Sequence, residues 1–326
     1  MTYVTLLSPS RAGGPEESGI ALLMVLWVLT VLMVIVLSFS YMTRTETQAA
    51  VAFQQGVEKK FLAEAGVERA IMEIIYARMN QNIQIIADGN EPWRTDGTPY
   101  TVAAGNNHFS VSITDESGKI NLNTLTDASG IILKDVLMNS GVQEAEADII
   151  VDSVLDWKDA DDLARLHGAE SDYYQSLANP YKAKNANFET PEELLLVRGM
   201  TPAILYGDGT KKGIMDFLTV NSKAGQINLK VAPKEVLLAV PGATPELADA
   251  IIDSRQDPKD MAAVQAFTAS IKPPFNSFIG AGALGDTFSI ESSGYKGDEK
   301  GGFTIKATVV IDGNNKIRYA YYKGPA

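Results

Sequence analysis

The strongest pattern in the chain is an unbroken apolar run from Gly19 to Thr43, with no charged residue between Glu17 and Arg44. Ile20 to Phe39 alone is 20 residues, which as a helix rising ~1.5 Å per residue spans roughly 30 Å, the thickness of a bilayer core. A secretory signal has an apolar core of only about 7–15 residues and a small-residue cleavage site after it, and no Ala-x-Ala directly follows this run, the first lying beyond Arg44 and Glu46 at Ala50-Val51-Ala52. A helix apolar on every side is either sealed inside a large core or a membrane span, and the length of this run favours the span. The pattern predicts a membrane-spanning helix. It does not stop at the membrane surface: from Tyr41 to Met79 there is no Pro, and only Gly56 and Gly66 interrupt. Apolar residues recur at Val57, Phe61, Ala65, Met72 and Ile75, near a 3.6-residue period. The expectation is one helix of about 60 residues, on the order of 90 Å long, half in lipid and half amphipathic.

Further on the period changes. Asp88-Gly-Asn-Glu-Pro-Trp-Arg-Thr-Asp-Gly-Thr-Pro-Tyr reads as turns. Asn107 to Asp115 then alternates, with Phe109, Val111 and Ile113 on one face, and predicts a half-buried strand. Two near-identical hexapeptides follow about a hundred residues apart, Gly118-Lys-Ile-Asn-Leu-Asn and Gly225-Gln-Ile-Asn-Leu-Lys. They read as two similar strand starts in one sheet, bracketing an inserted helical segment. Between them Asp135–Asn139, Gln143–Trp157, Tyr173–Leu177, Thr190–Val197 and Thr201–Leu205 read as helices or helical turns, the fourth opened by Thr190-Pro-Glu-Glu and closed by Gly199. Pro245–Ser254 is a further helix. Thr287–Ser292, Phe303–Ile311 and Lys316–Tyr322 are strands, the last two joined by the hairpin signal Asp312-Gly-Asn-Asn. The class expected is α+β, a long N-terminal helix packed on an antiparallel sheet with a large helical domain inserted in it.

Composition narrows the functions. With 28 Lys and Arg against 40 Asp and Glu the net charge is −12, which argues against nucleic acid as a partner, since phosphate binding needs clustered cations. The absence of cysteine removes disulfides and thiol chemistry, and two histidines, His108 and His167, cannot build a His-rich metal site. No nucleophile elbow, Walker loop or His-Glu-x-x-His occurs, and no catalytic residue is nominated. Gly280-Ala-Gly-Ala-Leu-Gly fits a dinucleotide fingerprint in letters only, because a strand rather than a helix follows it. Val197-Arg-Gly-Met-Thr-Pro and Val240-Pro-Gly-Ala-Thr-Pro resemble helix-hairpin-helix turns; in so acidic a chain they serve packing.

Charge concentrates in one place. From Glu144 to Asp172 there are ten acids against Lys158 and Arg165. Asp148, Asp152, Asp156 and Asp159 share a helix face, and for Asp148 and Asp152 a solvated face explains it. Asp159, Asp161 and Asp162 crowd where the helix must stop, and a hard cation such as Ca2+ would relieve their repulsion. The spacing lacks the Gly and Glu of an EF-hand, and His167 reads as a surface-loop residue.

A short polar leader ending in Gly19, then a lipid-embedded half-helix continuous with an amphipathic half, resembles the type IV pilin and pseudopilin families. The resemblance implies cleavage by a prepilin peptidase between Gly19 and Ile20, methylation of the new N-terminus, and a cytoplasmic N-terminus, which the charges flanking the helix do not set. Most members carry Glu at the fifth mature position, here Met24; minor pseudopilin K of the type II secretion system also lacks that acid. Asp156-Trp-Lys-Asp-Ala-Asp followed by Gly168-Ala-Glu-Ser-Asp-Tyr-Tyr is similar to the K pattern, whose helical insertion binds calcium. The likeness continues through Phe188-Glu-Thr-Pro-Glu-Glu-Leu-Leu-Leu-Val-Arg-Gly-Met-Thr and Phe217-Leu-Thr-Val-Asn-Ser. It implies Ca2+ ligation by Asp159, Asp161, Glu170 and Asp172, with Asp156 and Asp162 beside them. It also implies a structural subunit, partners in minor pseudopilins I and J at the pseudopilus tip, and an inner-membrane anchor with the folded part in the periplasm. The division expected is a leader at 1–19, a helix at 20–80 with its membrane part at 20–43, sheet at 81–124, inserted helices at 125–216, and sheet again at 217–326. Two rival classes remain: a type IV pilus or DNA-uptake minor pilin, which calls for a basic patch, and a membrane-anchored periplasmic metal-dependent hydrolase using the acidic cluster.

Overall fold

The computed structural model describes residues 17–79, 93–257, 260–282, 284–298 and 301–324. The expected leader therefore lies outside the described residues up to position 16, as does the turn-rich stretch up to position 92. Residues 1–58 and 59–326 form two separate compact units. Helix α1 covers Glu17–Met79, 63 residues, and its segment from Ile20 is long and apolar enough to cross a membrane, with side chains such as Leu22, Trp27 and Phe39 exposed.

In the second unit the last turns of α1 lie on a five-stranded antiparallel sheet ordered β1-β2-β7-β8-β9. Its strands are β1 (Asp96–Ala104), β2 (Asn107–Asp115), β7 (Thr287–Tyr295), β8 (Phe303–Ile311) and β9 (Ile317–Lys323). The fold class is thus α+β, as the pattern predicts. β1 corrects the reading of its stretch as turns: Pro99 is tolerated because it sits on an edge strand beside a register shift between Asp96 and Pro99. Phe109, Val111 and Ile113 of β2 point inward, as their alternation requires, and meet Phe288, Ile290, Ile305, Val309 and Ile311 in one core.

The helix face that meets this core is not the one marked by Phe61 and Met72. Ala63, Val67, Ala70, Ile71 and Ile74 are buried, whereas Phe61 and Met72 face outward at 63% and 64% exposure. Small residues decide the matter by letting the backbones approach. A Cβ on Gly66 would stand 2.1 Å from Ser292 Oγ, and one on Gly294 would stand 2.1 Å from Lys59 O. Gly66, unfavourable in a helix by about 1 kcal/mol against Ala, is the close-contact point of helix and sheet. At the C-terminal end Arg78 donates to Ile311 O (2.8 Å) and Asp312 O (3.3 Å) and also to Gly285 O.

Between β2 and β7 the chain builds a second core, running from Ile120 to Ile279. Residues 217–286, expected to return to the sheet, give it no strand among the described residues; the sheet resumes at Thr287. The echoing hexapeptides do not share a sheet either. β3 (Ile120–Asn121) pairs in parallel with β4 (Leu218–Thr219), and β5 (Ile227–Asn228) with β6 (Ile279–Gly280). Each pair closes a helical segment: α2 (Gly130–Asn139), α3 (Glu144–Lys158), α4 (Ser171–Gln175) and α5 (Pro202–Tyr206) in the first, α6 (Lys234–Leu238), α7 (Pro245–Ser254) and α8 (Ala262–Ser270) in the second. The likeness extends inside them. Asn121 and Asn228 both turn their side-chain oxygens onto a backbone N–H two residues on. Ala147-Asp-Ile-Ile-Val-Asp-Ser of α3 matches Ala248-Asp-Ala-Ile-Ile-Asp-Ser of α7, with Ala147, Ile150, Ala248 and Ile251 all fully buried. The structure therefore contains two related helical modules, each opened by one of the echoed strands, rather than two strand starts in one sheet. Thr190–Val197 forms a 3-10 turn over Pro191–Leu196 in place of a full helix.

The insertion is pinned where it leaves the sheet. Asp115, fully buried at the end of β2, accepts Ser117 N–H at 2.8 Å and Gly285 N–H at 2.7 Å, the latter just before β7. Burial raises the Asp115 carboxyl above the usual range despite those two donors.

Candidate metal centre

The acidic run folds into a pocket of carboxylates at the C-terminal end of α3. Asp156 lies on the last turn and is 0% exposed, among buried Val154, Leu155 and Trp157. Asp159 caps the helix, its N–H still on Leu155 O at 3.2 Å, and the chain leaves in an extended conformation. Lys158 holds this end in place by donating to Asn123 O (3.2 Å) and Leu125 O (2.7 Å). After the loop 160–167 the chain passes directly over Asp156, so closely that a Cβ on Gly168 would stand 1.9 Å from Asp156 Oδ2. Glu170 follows two residues later, at the start of α4, and is 5% exposed. One oxygen from each of Asp156, Asp159 and Glu170 lies within 4.8 Å of the others, the grouping suited to a metal ion among the described residues.

Only part of that negative charge is answered. Arg165 Nη1 donates to Asp156 Oδ1 and Asp159 Oδ2, both at 2.7 Å, and Nε donates to Asp127 Oδ1 at 2.7 Å. Both oxygens of Glu170 and Oδ1 of Asp159 are buried with no hydrogen-bond partner. Burial is the largest cause that pushes Glu170 up to about 7, followed by repulsion from Asp156, Asp159, Asp162 and Asp161. Burial raises Asp156 too, against the pull of Arg165. An aromatic wall backs the site: Trp157 meets Tyr174 edge-on at 5.2 Å and Tyr174 stacks on Tyr181 at 5.2 Å. Arg198 crosses the ring of Tyr173 at 4.8 Å and donates to Gly168 O at 2.9 Å, fixing the returning loop.

Of the four ligands nominated from the sequence, the fold brings Asp159 and Glu170 together and adds Asp156. Asp161 is exposed and accepts Leu163 N–H at 2.9 Å, and Asp172 is exposed on the first turn of α4. Asp162 accepts from Asn185 Nδ2 at 3.3 Å. Asp148 pairs with Lys134 at 2.7 Å, and Asp152 accepts the backbone N–H of exposed His167. Arg165 has no signal in the spacing as a counter-ion, since it reaches the site through a loop.

Buried, unpartnered carboxylate oxygens suit a hard cation, which oxygen ligands hold and whose charge offsets the desolvation of the acids. The donor set is all oxygen, with no sulfur or imidazole, and fits Ca2+ better than a softer transition metal.

Residues 118–206 match the family model of type II secretion system protein K. Three curated relatives share the description type II secretion system protein K. The Klebsiella pneumoniae protein is 27% identical over 201 residues, and the putative Escherichia coli (strain K12) protein 24% identical over 204, each alignment covering 58% of this chain. The Aeromonas hydrophila protein is 24% identical over 206 residues, 57% of this chain. The chain spans 60% of the length of these relatives. A chain of the crystal structure of the GspK-GspI-GspJ complex from enterotoxigenic Escherichia coli is similar in fold, with a TM-score of 0.58 at 16% identity, covering 86% of this chain and 99% of that one.

Proposed function

We propose that this chain is a minor pseudopilin of the K type, a structural, non-enzymatic subunit of the type II secretion system. The observation that carries the reading is the combination of a protein K domain over residues 118–206 with an N-terminal helix that is apolar from Ile20 and ends packed on a sheet. The apolar part of α1 anchors the subunit in the inner membrane and leaves the unit 59–326 in the periplasm. A prepilin peptidase cuts between Gly19 and Ile20, which exposes the N-terminus for methylation. Minor pseudopilins I and J are the partners at the pseudopilus tip, in keeping with the complex in which the structural neighbour was solved. Met24, at the fifth mature position, gives the subunit no acid to pair with a neighbour above it, and the insertion between β2 and β7 adds bulk that opposes further stacking. Both features suit a filament end.

The acidic pocket holds Ca2+ as a structural ion, with Asp156, Asp159 and Glu170 as its carboxylates. When bound it supplies charge that lets the buried acids ionise without a proton. Arg165 meanwhile keeps Asp156 and Asp159 oriented, and Gly168 brings Glu170 into reach. The test is co-expression of the full chain with pseudopilins I and J, followed by membrane extraction, co-purification and mass spectrometry of the N-terminus. A ternary complex carrying a chain that begins at methylated Ile20 is the expected result. A full chain that stays uncut and binds neither partner would overturn the assignment.

A further inference from the structure

Leu163 and Leu166 stand 78% and 89% exposed, the two highest values among the large apolar side chains of the described residues, above Tyr41 of α1 at 76%. One exposed leucine is ordinary on a protein surface, but two on a single short loop leave a concentrated apolar spot in water. The loop that carries them is firmly held. Leu163 N–H donates to Asp161 Oδ1 at 2.9 Å, and the N–H of His167, directly after Leu166, donates to Asp152 Oδ2 at 3.0 Å. Between the leucines the Arg165 N–H donates to Asp156 Oδ1 and Oδ2 at 3.3 and 3.2 Å, and its guanidinium reaches Asp156, Asp159 and Asp127. These bonds fix the backbone around both leucines. We propose that the loop 160–167 is a docking element whose leucines enter an apolar pocket rimmed by Lys and Arg on another protein.

The neighbouring core seals Trp157, Ala169 and Tyr174, so apolar side chains next to this loop do find cover, while Leu163 and Leu166 are held outward. A side chain displayed on a fixed backbone loses less freedom when it docks, which is how a preorganised element gains affinity. Charge selects the kind of partner. Asp161 and Asp162 stand exposed immediately before Leu163, and the one cation of the loop, Arg165, is turned inward onto three carboxylates. An apolar spot with an acidic rim is a poor match for an anionic lipid surface, which attracts Lys and Arg. A second copy of this chain, with its net charge of −12, would meet it with the same sign. A protein pocket with a basic rim complements both the leucines and the acids.

The experiment places the photoreactive residue p-benzoylphenylalanine at the position of Leu163, of Leu166 or, as a control, of exposed Asn314 in the turn between β8 and β9. Each full chain is irradiated in the cells that make it, and mass spectrometry identifies its adducts. The captured polypeptide is then produced alone, and its Kd for the full chain in detergent is measured. The expected adduct is one polypeptide, different from this chain, joined from the two leucine positions and not from the control. Leu163→Ser combined with Leu166→Ser should weaken its binding by about tenfold or more, as loss of buried apolar contact requires. Asp161→Asn combined with Asp162→Asn keeps the acceptor oxygens but removes two charges. It should weaken binding about threefold at low salt and flatten the dependence on salt. Melting checks that both variants fold. Adducts to lipid or to a second copy of this chain, no polypeptide adduct, or the same adduct from the control would overturn the proposal. So would an affinity that neither double variant changes.

Discussion

At the scale of single residues, Glu170 bears most of the electrostatic strain of the ion-free pocket. Its folded value near 7 stands above the usual 4.5, so the folded state favours the proton. The stability this confers is present below about pH 4.5 and is lost as pH rises through 7. The ion-free protein should therefore melt at progressively lower temperature from pH 4.5 to 7.5. Glu170→Gln, which cannot ionise, should flatten that slope, and saturating Ca2+ should flatten it in the unsubstituted chain. Scanning calorimetry in EDTA and in Ca2+ reads all three, and an undiminished slope in Glu170→Gln would show that another group titrates. Gly168 makes a steric point at the same site. A methyl there meets Asp156 Oδ2 at 1.9 Å, so Gly168→Ala should destabilise by about 1–3 kcal/mol, the usual range for overpacking. It should also abolish the melting rise on adding Ca2+.

Among elements, α1 shows how a sequence can be right in outline and misleading in detail. Its length was legible from the apolar run and the absence of Pro through Met79, and the described helix covers that whole stretch. Its buried face was not. Hydropathy ranks Phe61 and Met72 above Ala63, Gly66 and Ala70, yet the small residues win because two backbones can then touch. Gly66→Val should accordingly cost about 1–3 kcal/mol, whereas Phe61→Ala, on the outer face, should stay within about 0.5 kcal/mol. Urea unfolding of the two variants decides between the faces. The same limit explains the strands: β2 and β8 alternate clearly, but β1 hides behind Gly97 and Pro99 and becomes a strand only by pairing with β2. Of the candidate site, the location was readable from the density of acids between Asp156 and Glu170. The ligand geometry was not, since it depends on how the loop after Asp159 returns over α3.

Over the whole molecule, two cores divide the unit 59–326. One joins α1 to the five-stranded sheet, and the other runs from Ile120 to Ile279. A cation in the pocket at Asp156 belongs to the second core alone. Adding Ca2+ should therefore slow amide exchange in α3, α4 and the loop between them by at least about tenfold, while β7, β8 and β9 exchange at unchanged rates. Hydrogen-exchange mass spectrometry of the full chain in detergent would detect the contrast, and equal protection in both cores would mean that they act as one. Asp115 supplies a different consequence. Because its carboxylate reaches Gly285 N–H at 2.7 Å, the two points at which the chain leaves and rejoins the sheet are neighbours in space though far apart in sequence. The helical modules are in that sense a portable cassette. A short Gly-Ser bridge from Asp115 to Asp286 should yield a minimal subunit of helix and sheet alone, and the excised piece could be grafted into any hairpin whose ends stand as close.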